Sequence, residues 1–147
     1  MNDENTRRVI RACPSIFETI EDEQNKMSRG EMFMPIAFYF ECGDGWADLL
    51  VELCEGIQKH IQTLPPEAVS ELVALQVKEK YGTLRFYVSG YDKTLDKLIE
   101  DASKKSSVTC ETCGAPGERR GDAWLYTACE QHTREYDLKK NQTQETP

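Results

Sequence analysis

Four residues near the end of the chain have the types and spacing of a metal site. Cys110-Glu111-Thr112-Cys113 and Cys129-Glu130-Gln131-His132 are two ligand pairs, each separated by two residues. A tight turn can direct both members of such a pair at one ion, and zinc takes thiolate and imidazole ligands in a tetrahedron. The interval between Cys113 and Cys129 suits a finger or ribbon loop. Gly114 follows the first pair and is free to take the positive φ that a knuckle turn requires. Three thiolates and a neutral imidazole leave no position open for water, so this pattern predicts one structural Zn²⁺ held by Cys110, Cys113, Cys129 and His132, with no catalytic role.

Cys13, Cys42 and Cys54 lie outside the pattern and are expected to be reduced, partly buried small hydrophobes. No secretion signal precedes residue 12, where Met1 to Arg11 is polar, and no apolar run approaches the roughly 20 residues of a membrane span. A cytoplasmic protein is therefore expected, with no membrane partner. Hydrophobic residues make up 39% of the chain and charged residues 30%, the balance of a globular protein and not of a disordered one.

The net charge of −8 argues against general nucleic-acid affinity. It is unevenly spread: residues 1–50 carry 10 acids against 5 bases, whereas residues 51–106 carry 9 against 8. A basic face is predicted in that middle section. Leu72 to Ser89 reads as a β-hairpin turning at Gly82-Thr83, so that Lys80 faces Arg85 and Lys78 faces Tyr87. Leu75, Val77, Tyr81, Leu84, Phe86 and Val88 then point inward. Gln76, Lys78, Lys80, Arg85 and Tyr87 point outward, and Lys78, Lys80, Arg85 and Tyr87 form the candidate binding surface. An alternative to a solvated face is a site for phosphate, single-stranded nucleic acid or an acidic partner.

The elements that position these residues follow from periodicity. Thr6 to Asn25 reads as an irregular helix broken at Pro14, with Ile16, Phe17 and Ile20 as its apolar contacts. Ile36 to Phe40 alternates as a strand. Gly43-Asp44-Gly45 breaks that strand, and Asp44 or Asp48 can cap a helix carrying Trp46, Leu49, Leu50, Leu53, Ile57, Ile61 and Leu64 at helical spacing, ended by Pro65-Pro66. A second amphipathic helix is predicted over about 92–105, with Leu95, Leu98, Ile99 and Ala102 inward. Trp124-Leu125-Tyr126 is expected to form a short strand over the metal, and Thr133 to Lys140 a short helix. The fold class is α+β: a small antiparallel sheet of one strand plus a hairpin, covered by two amphipathic helices, with a C-terminal zinc-ribbon or treble-clef-like module. The boundaries are 1–106 for the α+β domain, 107–140 for the zinc module and 141–147 for a disordered tail.

Glu41-Cys42-Gly43-Asp44-Gly45-Trp46 admits two readings. A thiol and a carboxylate at a strand-to-helix junction resemble a reactive site. A capping aspartate, permissive glycines and a core tryptophan explain the same residues by packing. His60 is expected to pack or to face solvent. No phosphate-cradling loop, nucleophile elbow or HExxH pattern occurs, and one of the two histidines belongs to the metal pattern, so no catalytic residue is assigned and no enzyme is expected.

Three blocks, Phe40-Glu-Cys-Gly-Asp-Gly-Trp46, Gln76-Val-Lys-Glu-Lys-Tyr-Gly-Thr-Leu-Arg-Phe-Tyr-Val88 and Thr109-Cys-Glu-Thr-Cys-Gly-Ala-Pro-Gly117, resemble an uncharacterised family of small bacteriophage and prophage proteins, over about residues 36 to 132. The resemblance implies an accessory role in which the chain binds a host or phage protein. Inhibition of a host defence or nucleic-acid enzyme is one form of it. The alternative is a nucleic-acid binder that uses the hairpin face together with Arg119 and Arg120 of the zinc module.

Overall fold

The computed structural model describes residues 1–17, 40–135 and 137–138. Helix α1 spans Asp3–Ala12 and is capped by Asn2, whose side chain accepts from the Asn5 N–H at 2.8 Å. It starts earlier than the apolar pattern suggests because this cap and the acidic Asp3 and Glu4 favour an N-terminus there. The break falls at Cys13, ahead of Pro14, and Ile16 and Phe17 are buried beyond it. Ile20, the rest of the predicted helix and residues 36–39 of the predicted strand lie outside the described residues.

Strand β1, Phe40–Glu41, leads into a 3₁₀ turn at Asp44–Trp46 and then into α2, Ala47–Ile61. The apolar stripe does what its spacing requires: Leu49, Leu50, Leu53, Cys54, Ile57 and Ile61 are all buried. Neither aspartate caps α2 by a side-chain bond, because the 3₁₀ turn occupies the entry and Trp46 takes the cap position. The helix stops at Ile61, so Leu64 and the double proline lie beyond its end instead of closing it. Pro66 opens a one-turn helix α3, Pro66–Val69, which suits a residue with φ fixed and no N–H to offer.

Strands β2, Ala74–Lys80, and β3, Thr83–Val88, are antiparallel, but β1 pairs parallel with β2, Phe40 beside Val77 and Glu41 beside Lys78. The sheet is therefore mixed, in the order β1-β2-β3, and the expected all-antiparallel sheet is corrected. The reason is topological: α2 and α3 carry the chain back across the sheet, as a parallel pair needs. Helix α4, Lys93–Ser106, is capped by Asp92, which accepts from the Leu95 N–H at 2.8 Å. Leu95 and Ala102 are buried, with Leu98 and Ile99 packed beside them.

The hairpin turn lies one residue earlier than expected, which shifts the strand pairing by two residues and keeps the same faces inward and outward. Tyr81 and Gly82 are the turn, with φ of 56° and 76°, and the pairs are Lys80 with Thr83, Lys78 with Arg85 and Gln76 with Tyr87. Two successive positive φ values form the tight turn whose twist matches the strands, and glycine at the second place suits it. Glu79 fixes the turn by accepting from the Gly82 N–H at 2.5 Å. Tyr81 is thereby 61% exposed, and a bulge between Ala74 and Gln76 turns Leu75 out to 54% exposure, so both leave the inward set. Val77, Leu84 and Phe86 remain buried, while Val88 is half-buried against the core.

Beyond α4 the chain forms a second two-stranded hairpin, β4 (Glu118–Arg120) and β5 (Tyr126–Ala128), followed by a 3₁₀ turn at Glu130–His132 and helical residues at 135 and 137–138. The strand expected at Trp124 begins instead at Tyr126, and Trp124 is 70% exposed in the connecting loop. Gly121 reverses the chain there at φ 82°. Residues 141–147 lie outside the described set.

Candidate metal centre

Cys110 leaves α4 by a short connection and opens the knuckle. Its N–H donates to Ala115 O and its carbonyl accepts from the Gly114 N–H, both at 2.8 Å, and Gly114 has φ 77°. An L side chain rarely adopts that conformation. The second pair is set by the end of β5: the His132 N–H donates to Cys129 O at 3.2 Å, and Thr133 Oγ1 donates to the same carbonyl at 3.1 Å. One turn of 3₁₀ helix thus aims Cys129 and His132 at the knuckle.

The four ligand atoms all lie within 4.8 Å of one another. Cys113 Sγ is 3.7 Å from Cys129 Sγ, and His132 Nδ1 is 3.6 Å from Cys110 Sγ and 3.2 Å from Cys129 Sγ. A tetrahedral ion with bonds of about 2.3 Å to sulfur and about 2.0 Å to nitrogen has edges of about 3.5–3.8 Å. The donor set fits a metal ion in number, chemistry and spacing. Burial of Cys110 opposes its ionisation, but backbone N–H groups of Cys129, Cys113 and Thr112 outweigh it and bring the thiol down to about 6. A sulfur surrounded by N–H donors is prepared to be a thiolate.

The seat under this knuckle is the Gly43-Asp44-Gly45-Trp46 turn. Glu111, between the first two ligands, accepts from the Gly43 N–H through its carboxylate and from the Gly45 N–H through its carbonyl, both at 2.8 Å. Trp46 Nε1 donates to Thr109 O at 2.8 Å. A Cβ on Gly45 would stand 2.3 Å from Cys110 O and 2.5 Å from the Cys113 nitrogen, closer than real contacts allow. The glycines are absent side chains that let two backbones touch. Sequence reasoning missed Glu111, Thr109 and this docking; its one signal was the pair of glycines flanking Asp44, which marks a close approach of backbone.

A second contact lies at the other hairpin. Thr127 Oγ1 donates to Gly82 O at 2.5 Å, and a Cβ on Gly82 would lie 3.4 Å from Arg119 Cγ. The tip of β2-β3 thus rests against β4-β5.

The junction carries no exposed thiol. Burial pushes the Cys42 thiol up to about 12 and Cys13 to about 11, and Cys54 also rises well above the ordinary value. Asp44 accepts from the Asn2 N–H at 2.8 Å and from Asn5 Nδ2 at 3.0 Å, which holds its carboxyl below the usual range and ties α1 to the turn. His60 Nε2 lies 2.8 Å from Asp92 Oδ1, joining α2 to the start of α4.

The outer residues of the sheet do share a face. Lys78 lies beside Arg85 in register and its ammonium is 5.6 Å from the Tyr87 ring; Lys80 is 5.4 Å from the Tyr81 ring. Arg85 spends its donors on neutral oxygens, Thr83 Oγ1 at 2.6 Å, Leu84 O at 3.0 Å and Ser103 Oγ at 3.3 Å. Arg120 instead pairs with Glu118 at 2.9 Å and caps Ala128 O, so it is a structural part of the module.

Among the described residues no helix is long and apolar enough to cross a membrane. Comparison with protein-family models, with curated proteins and with solved structures finds no match to this chain.

Proposed function

We propose that this chain is a non-enzymatic accessory protein of phage or prophage type, in which one structural Zn²⁺ staples a ribbon or treble-clef-like module so that the surface beside it can bind a host or viral protein. The observation that carries the zinc is the closed set of four ligand atoms within 4.8 Å of one another. Zinc bound there would supply cross-linking of the knuckle to the end of β5 and no open coordination position. Against a reactive junction stand the Cys42 thiol, which is protonated at neutral pH, and Asp44, whose carboxylate is engaged by α1. The phage origin in this proposal is drawn from the three sequence blocks around Trp46, Tyr81 and Cys110.

Metal analysis of protein purified without chelator is expected to give about one zinc per chain. Affinity capture from host lysate is expected to retain a stoichiometric protein with the natural chain and to lose it when Lys78, Lys80 and Arg85 are all reversed to glutamate. A metal-free preparation with an intact module refutes the zinc, and equal capture by the reversed variant refutes the surface.

A further inference from the structure

We infer that the outer face of β2-β3 and Arg119 of β4 form one docking strip for an acidic, extended peptide segment of a partner protein. The proposal deepens the protein-binding reading above by naming the chemistry of the partner.

Four cations on this strip, Lys78, Lys80, Arg85 and Arg119, have no ion pair among the described residues, although the chain as a whole carries −8. Elsewhere Lys97, Lys104, Lys105, Arg8 and Arg120 are each matched to a carboxylate, while Arg7, Arg11, Lys59, Lys93 and Arg134 also have no ion pair among the described residues; what sets the strip apart is that four unmatched cations gather around one hairpin. A protein rich in acids that leaves these cations unmatched along one hairpin presents a local field of opposite sign to its own mean. Arg119 joins the strip because its side chain meets the hairpin tip at Gly82, next to Lys80 and Tyr81. The surface therefore crosses the boundary between the main domain and the metal module.

Two features favour an acidic peptide over single-stranded nucleic acid. The lysine ammoniums already stand against the Tyr87 and Tyr81 rings, so those faces are not open platforms for bases. Glu41, beside Lys78 in register and bonded by Gln76 at 3.3 Å, interrupts the positive face. A continuous phosphate chain would meet that carboxylate, whereas a segment of separate Asp or Glu side chains can engage discrete cations.

The test is fluorescence anisotropy with zinc-loaded protein, using a labelled decaglutamate peptide and an oligothymidylate of equal length. The peptide is expected to bind more tightly than the oligonucleotide. Lys80→Glu and Arg119→Glu are each expected to weaken it roughly threefold to tenfold. Lys59→Glu, on the exposed side of α2, is expected to change nothing. Unchanged zinc content in each variant shows that the module is intact. Tighter binding of the oligonucleotide overturns the peptide assignment. Loss with Lys80→Glu but not with Arg119→Glu overturns the joint strip, and binding of neither probe overturns the proposal. Each of these results leaves the zinc content and the partner capture as separate measurements, so the broader reading stands or falls on its own.

Discussion

In the first 106 residues Ile16, Phe17, Trp46, Leu50, Ile57, Val77 and Leu84 are buried together in one core, whereas beyond residue 107 the buried apolar side chains among the described residues are Cys110, Tyr126 and Ala128. The main domain has apolar area enough to fold by burial. The module buries far less, and one of its three buried apolar residues, Cys110, belongs to the Cys/His cluster that could hold a metal. A region so poor in core of its own gains from cross-links, which a metal at the four clustered Cys and His residues would provide. The module is nevertheless not an appendage, since its knuckle sits on Gly43 and Gly45 and its hairpin on Gly82.

Removing the metal should separate the two regions most strongly. Structural zinc contributes about 10–16 kcal/mol in zinc-finger peptides. On chelation, or in Cys110→Ser, amide exchange protection of 126–128 should vanish while the α2 amides around Leu50 and Ile57 stay protected. Equal loss in both regions would show that the main domain depends on the metal too. Trp46 reports on the boundary: with Trp124→Phe, its emission should shift when the Nε1 bond to Thr109 is lost.

Leu50→Ala is the reverse experiment. Leu50 is fully buried, so the change should cost about 2–5 kcal/mol in urea denaturation of the main domain. Its zinc stoichiometry should be unaltered; a metal-free Leu50→Ala protein would mean that the module cannot form on a weakened seat.

Gly45→Ala tests the seat itself. The new methyl group collides with Cys110 O and the knuckle backbone, at an expected cost of about 1–3 kcal/mol in the zinc-loaded protein. In chelated protein the knuckle is free to move away, so the same substitution should cost little there. An equal penalty in both states would place the strain within the turn and not between the regions.

Asp92→Ala should give the smallest effect, about 1 kcal/mol, through loss of the α4 cap. Burial works against the Asp92 charge, but the Leu95 and Thr94 N–H groups and His60 outweigh it and hold the carboxyl below its usual range. A lowered folded-state pKa means that the contribution is present above the unfolded value of about 3.9 and is lost as pH falls below it. The melting-temperature gap between natural and Asp92→Ala protein should therefore narrow below about pH 4.

The ligand pairs, α2, α4 and the inward set of Val77, Leu84 and Phe86 were legible because each depends on local spacing. Apolar residues at three and four places apart have one helical solution, and a Cys-x-x-Cys turn acts within five residues. The hairpin register was not, because Gly82 suits either of two adjacent turns and only the pairing of both strands, with Glu79 on the turn N–H, selects one. The parallel partner of Phe40 was not legible either, since the direction of a strand relative to its neighbour depends on the crossover that α2 and α3 make. Nor could spacing reveal that Gly43 and Gly45 make room for Glu111 and Cys110, which lie more than sixty residues away in the chain. The resemblance of the Glu41–Trp46 turn to a reactive junction came from residues whose role is to receive the knuckle.

Zinc K-edge X-ray absorption on protein purified without chelator tests the central claim most directly. One zinc per chain is expected, with three sulfur neighbours at about 2.3 Å and one nitrogen at about 2.0 Å. A shell with a water oxygen or fewer sulfurs, or protein that holds less than stoichiometric zinc while 110–132 stays folded, would contradict it.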